Sequence, residues 1–423
     1  MARTTLIRIL PTLTLLLASL ACNLGIDFNP PPIPSQIPAG IPSHTPSVIT
    51  VLPPTPAPPT DNPAAPPPTA APFPALGQIE MQDAANGWGS DEAGRLYHTS
   101  DGGLTWLDRS PKNAPAGLWG NAFLDADHAW LQLSASDAPM QIFRTSDGGQ
   151  TWESLTPNGL DSSGAAILRF TSPTDGWGEV AGLGAGNLYI QVCETRDGGA
   201  NWAVVPLQPF RANEELPLGS LHLCSMCGDA FYYDASRVLV VEGDMGSMET
   251  RNAVHLYTST DLGKNWSEQN LPLPAQYGDA LVAPLEIKFF GNDGFLPVRL
   301  VKYNTDNTTA YDIFAVYVTH DSGVTWNLTP TALENVTSYT FQRFLNANEA
   351  IVQCGPALCV SRDSAQTWQT VTPNIDLLPT DTRWVAQIRF ADLAHGWLIV
   401  YDNGAYPLYK TEDGGANWTL LTR

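Results

Sequence analysis

Seven aspartates recur inside one short phrase: TSDGGLTW (99–106), TSDGGQTW (145–152), TRDGGANW (195–202), STDLGKNW (259–266), THDSGVTW (319–326), SRDSAQTW (361–368) and TEDGGANW (411–418). Each acid precedes a tryptophan by five residues: Asp101 and Trp106, Asp147 and Trp152, Asp197 and Trp202, Asp261 and Trp266, Asp321 and Trp326, Asp363 and Trp368, Asp413 and Trp418. Repeated carboxylates suit acid–base catalysis or Ca²⁺ coordination, and they suit equally a turn that bonds its own backbone. Spacing separates these chemistries. Successive aspartates lie 46, 50, 64, 60, 42 and 50 residues apart, one per structural unit, so they do not converge. The reading is structural: hydroxyl and carboxylate hold backbone amides, glycine takes the positive φ, and tryptophan buries. Box six has Ala365 at the glycine position, so its turn is expected to be strained or altered.

No glycine-rich phosphate loop, histidine-based metal motif or Ser-His-Asp order is present, and no catalytic residue, metal or cofactor is assigned. Apart from Cys22 there are five cysteines. Cys354 and Cys359 fit a hairpin disulfide; Cys193 is expected to pair with Cys224 or Cys227, and the sequence does not choose between them.

The elements that position these residues are short strands. Apolar runs lead into Asp83-Ala-Ala-Asn-Gly-Trp88, Asp125-Ala-Asp-His-Ala-Trp130, Ser172-Pro-Thr-Asp-Gly-Trp177 and Asp392-Leu-Ala-His-Gly-Trp397, with weaker versions ending at Leu239, Phe295 and Ile351. Each unit reads strand, turn, strand, loop, strand, box, strand, with no sustained helical periodicity. Seven such units predict an all-β, seven-bladed β-propeller over residues 77–423.

Aligning the innermost strands brings one position into register: Glu80, Ala122, Arg169, Phe231, Lys288, Arg343 and Arg389. Innermost strands line the channel, so Arg169, Lys288, Arg343 and Arg389 are candidate groups for a carboxylate, from a peptide terminus or an acidic side chain. The alternative is that each cation pairs with a local carboxylate. The widest box spacings thicken blades four and five, with insertions placed at 206–228 (the link into blade four), 242–253 and 302–312, all on the face opposite the boxes. Carboxylates there include Glu214, Glu215, Asp229, Glu242, Asp244, Glu249, Asp306 and Asp312, beside Tyr232, Tyr303 and Tyr311.

Of 423 residues, 21 are Lys or Arg and 42 are Asp or Glu, a net charge of −21. That balance excludes nucleic-acid binding by phosphate neutralisation and adsorption to an anionic bilayer. Residues 1–21 read as a secretory signal ending Leu-Ala-Ser-Leu-Ala before Cys22, which resembles a bacterial lipobox and makes Cys22 the lipidation site. Residues 22–76 form a tether with 18 prolines between positions 28 and 74, read as an extended spacer rather than a recognition ligand. The expected location is the cell envelope, lipid-anchored on the extracytoplasmic side of the bacterial membrane, touching the bilayer through the lipid alone.

The boxes resemble the Asp-box (BNR) motif, and Gly87-Trp-Gly with Gly94-Arg-Leu-Tyr-His-Thr-Ser-Asp-Gly-Gly103 and Trp106 resembles the photosystem II assembly and stability factor family. That resemblance covers 77–423 and implies a non-enzymatic assembly module whose partner is a protein or peptide, for instance a membrane-protein segment. The rival is a glycan-binding or glycoside-hydrolysing propeller, sialidase-like or xyloglucanase-like. Here the Arg-Ile-Pro opening of sialidases is missing and the chain holds one propeller where xyloglucan enzymes use two.

Overall fold

Strand-forming residues alternate on a period of two along each inner strand, so one set of side chains packs toward each neighbouring blade. The computed structural model describes residues 73–422 apart from 113, 115–117, 134–139, 161–165, 185–186, 210–218, 224–227, 246–251, 335 and 337–340. It contains seven antiparallel sheets, each built from consecutive strands, and the chain is a seven-bladed β-propeller. The inner strands are Leu76–Met81, Leu118–Phe123, Ala166–Phe170, Ala230–Asp234, Leu281–Pro284 continued by Lys288–Phe290, Gln342–Phe344 and Arg383–Phe390. The signal segment, Cys22 and the tether up to residue 72 lie outside the described residues.

The core is a ring of inter-blade layers. Seven clusters of buried apolar side chains each straddle one blade boundary, from Trp88, Phe123 and Leu131 between blades one and two to Ile79, Trp397 and Ile399 between seven and one. The tryptophans of the turn signal stitch these layers together. Trp88 Nε1 donates to Asp125 O (3.1 Å), Trp130 Nε1 to Gly198 O (3.0 Å) and Trp397 Nε1 to Gly102 O (2.9 Å), each in the next blade. The last of these closes the ring. Because both terminal blades are made of their own four strands, closure uses side chains, among them Gln387, whose Oε1 accepts from the Ile79 N–H at 2.7 Å.

Two details, in blades three and four, differ from the sequence expectation, while the place of 302–312 in blade five follows it. Ser220–Leu223 pairs with 188–191 of blade three, so this part of 206–228 resumes that blade's outer edge instead of linking into blade four. Blade five is lengthened by its own strands, Asp293–Tyr303 and Thr309–Thr319, whose hairpin carries 302–312 away from the box end. In blade four the register sets Tyr232 opposite Leu239 and Leu239 opposite Thr258, the place that Glu80, Trp88 and His98 hold in blade one. Tyr232, not Phe231, is therefore the equivalent of Glu80.

Candidate binding site at the channel mouth

All seven boxes form the same turn. In box one the Thr99 hydroxyl donates to Asp101 Oδ1 (2.9 Å) and accepts from Gly103 N–H (2.9 Å), while Thr105 N–H donates to Asp101 Oδ1 (2.9 Å). Equivalent carboxylate bonds recur at Asp147, Asp197, Asp261, Asp321, Asp363 and Asp413. Box six keeps the turn: Ala365 N–H reaches Ser361 Oγ at 2.9 Å with Ala365 at φ 63°. It is strained at φ without being altered. The Thr151 hydroxyl, joined by the Thr151 amide, holds Asp147 down at about 2, and Thr325 does the same for Asp321. These acids serve their turns, and among the described residues no group of His, Cys, Asp and Glu is arranged to hold a metal ion.

The inner-strand charges lie one or two residues before the turn that touches the box, as Gly102 N–H bonded to Ala85 O (2.7 Å) shows for blade one. They therefore ring the box-side mouth of the channel, at the opposite end from the blade-five hairpin. The basic and thickened sectors do not form one pocket.

The cations are not bare. Glu80 of blade one is held by Arg389 of blade seven, Nε to Oε2 at 3.1 Å, and by Arg343 of blade six, Nη1 to Oε1 at 3.4 Å. Arg169 of blade three meets Glu179 on its own sheet at 3.3 Å and Glu286 of blade five at 3.6 Å. Contacts between blades two positions apart are reachable only across a narrow axis. The mouth is thus a mixed-charge belt, the local-pairing alternative, rather than an unpaired basic sector. Lys288 sits on the same belt in blade five, opposite Phe295. Beside Arg169, burial and the neighbouring Asp234 push the Tyr232 hydroxyl well above its ordinary range; that hydroxyl donates to Asp234 Oδ2 at 2.9 Å.

Sequence alignment located the cations and Glu80, the partner of Arg343 and Arg389, but not Glu179 and Glu286, the partners of Arg169. Glu179 stands two residues after Trp177 on one strand, a period-two signal that places both on one face, whereas Glu286 lies in the break between Pro284 and Lys288, where no such signal applies. Carboxylates of the thickened sector have other engagements. Asp312 pairs with Arg299, Asp229 accepts from Gly243 N–H (2.9 Å), and Asp306 accepts from Thr308 N–H (3.0 Å). Glu242 and Asp244 are buried, and Asp244 N–H bonds Val282 O of blade five at 2.8 Å. Tyr311 donates to Asp279 Oδ1 (2.9 Å), which Lys302 also engages; Tyr303 ends the first long strand. Glu214, Glu215, Glu249, Cys224 and Cys227 lie outside the described residues. Cys354 and Cys359 are disulfide-bonded across the blade-six hairpin, and Cys193 is buried between blades two and three.

No family model matches the sequence, and no curated protein does. Among solved structures, the chain is similar to "YCF48 bound to D1 peptide" (18% identity, TM-score 0.44, covering 81% of this chain and 94% of that one). It is similar to YCF48 from Cyanidioschyzon merolae (15% identity, TM-score 0.43, 81% and 97%). It is also similar to the GH74 enzyme of Niastella koreensis (12% identity, TM-score 0.31, 82% and 61%). At these identities and TM-scores the likenesses assign this chain no role.

Proposed function

We propose that this chain is an extracytoplasmic, lipid-anchored propeller that works by binding, as a non-enzymatic protein-binding or assembly module. Its box-side mouth receives an acidic side chain or carboxyl terminus of the partner. The observation that carries this reading is the incomplete use of two guanidiniums. Arg389 gives Nε to Glu80 and Nη1 to Ile388 O (3.2 Å), and Arg169 gives Nε and Nη1 to Glu179 and Glu286. Each keeps a fifth of its side chain exposed and an Nη2 edge with no acceptor among the described residues. An arginine already oriented by one carboxylate is pre-organised to take a second through its free edge. Glu80, Glu179 and Glu286 each pair with an arginine of the belt, which supports binding as the role of these carboxylates.

The test is a peptide library displayed once with free and once with amidated C-termini. Selected peptides should bind the full chain, and amidation or the double substitution Arg169→Gln, Arg389→Gln should each weaken binding about tenfold, the loss of one charge-assisted contact. Equal binding in all three arms overturns the reading. So does hydrolysis of xyloglucan or arabinan that is abolished by Glu286→Gln.

A further inference from the structure

Trp384 is 41% exposed, although the core of its blade is closed. It stacks on Tyr401, its cross-strand partner, with ring centroids 3.9 Å apart and planes at 21°, so its other face is turned outward. Tyr401 meets Tyr406 edge-on at 5.4 Å, and Tyr406 is fixed by its hydroxyl to Glu92 Oε1 (2.6 Å) on the blade-one hairpin. The result is an aromatic ladder at the seam between blades seven and one, on the face away from the boxes.

The ladder lies where the chain enters the propeller. Ile79 is level with Gln387, as their hydrogen bond shows, and three residues back along these neighbouring, like-directed strands are Leu76 and Trp384. Phe73 and Tyr406 pack against the same buried cluster. Immediately upstream, ten of the twenty residues 53–72 are proline, including Pro66-Pro-Pro68, with no lysine or arginine. Such a sequence favours polyproline II, and aromatic-lined surfaces recognise that helix with little ordering cost. The two ring steps of 3.9 and 5.4 Å span no more than about one ~9 Å polyproline turn.

We propose that the proline-rich segment just before Phe73 docks in cis on the Trp384–Tyr401–Tyr406 ladder. The segment is then more than a spacer: it fixes the face opposite the boxes toward whatever holds the N-terminus and leaves the box-side mouth pointing away. Covalent linkage supplies a local concentration on the order of millimolar, so one weakly binding polyproline turn suffices.

Limited digestion of the full chain with elastase, which cuts after small residues such as Ala64, Ala65, Ala70 and Ala71, tests this. Trp384→Ala should raise the cleavage rate in 64–71 about tenfold with an unchanged melting temperature, while Trp384→Phe keeps the protection. Replacing Pro66, Pro67 and Pro68 with serine, outside the folded blades, should match Trp384→Ala. Equal rates in wild type and both disrupted variants overturn the proposal. Protection that disappears on dilution also overturns it, because the docked segment would then belong to another copy.

Discussion

Ala365 occupies the box position where the other six boxes carry glycine, and it still adopts φ 63°. An L-residue in that region costs about 1–2 kcal/mol. The Ala365 methyl is fully buried beside Phe314 and Phe344, which returns about 0.8 kcal/mol. Ala365→Gly is therefore expected to stabilise the protein by roughly 0.5–1 kcal/mol, read as a higher urea midpoint at constant slope. A lower midpoint would mean that packing outweighs strain. The preceding box residue is compensated differently: Ser364 at φ 59° donates its hydroxyl to Ala347 O (2.7 Å), and Ser322 at φ 64° donates to Asn292 Oδ1 (2.8 Å). At this scale the boxes were readable because a hydroxyl, an acid, a glycine and an indole each have one local role. The charge belt was half readable. Strand alignment finds Arg343, Arg389 and Glu80 at one position, whereas their pairing, across 263 and 309 residues, forms only when the ring closes.

Strand breaks escaped the sequence for a related reason. The hairpins of blades one, two, six and seven follow turn chemistry directly, while the inner strand of blade five is interrupted between Pro284 and Lys288 and the outer edge of blade three resumes at Ser220. Interrupted edges leave no composition signal, since both halves are ordinary short strands and only hydrogen-bond register joins them. The seam between blades seven and one likewise has no sequence mark. Without an exchanged strand, Gln387 supplies the acceptor for the Ile79 amide, and Ile79 is buried. Gln387→Ala should leave that donor unsatisfied at a cost of about 1–3 kcal/mol. Amides of Leu76–Met81 should then exchange faster than those of the other inner strands. A variant that loses stability evenly across all blades would show that this seam is no weaker than the rest.

The acidity of the whole molecule acts through two opposed terms. Residues 77–423 hold 19 Lys and Arg against 40 Asp and Glu, so at neutral pH the folded state carries strong self-repulsion. Lowering pH toward the isoelectric point of about 4.5 relieves it, and added salt at pH 7 should raise the melting temperature for the same reason. Below pH 4 the boxes reverse the trend. Asp101, Asp147, Asp197, Asp261, Asp321, Asp363 and Asp413 all bind protons less readily folded than their ordinary value of 3.8, because hydroxyl and amide donors favour the ionised form. A depressed folded pKa contributes stability above 3.8, and that stability is lost as pH falls toward about 2, where Asp147 and Asp321 titrate. Each contribution is small for so exposed a group, but seven identical turns titrate together. Stability should therefore rise modestly from pH 7 to about 5 and collapse between about 4 and 2. Thr151→Val and Thr325→Val, which remove the largest donors at two boxes, should raise the midpoint of acid unfolding and lower stability at pH 7. A midpoint unmoved by these changes would show that the box turns do not set acid unfolding.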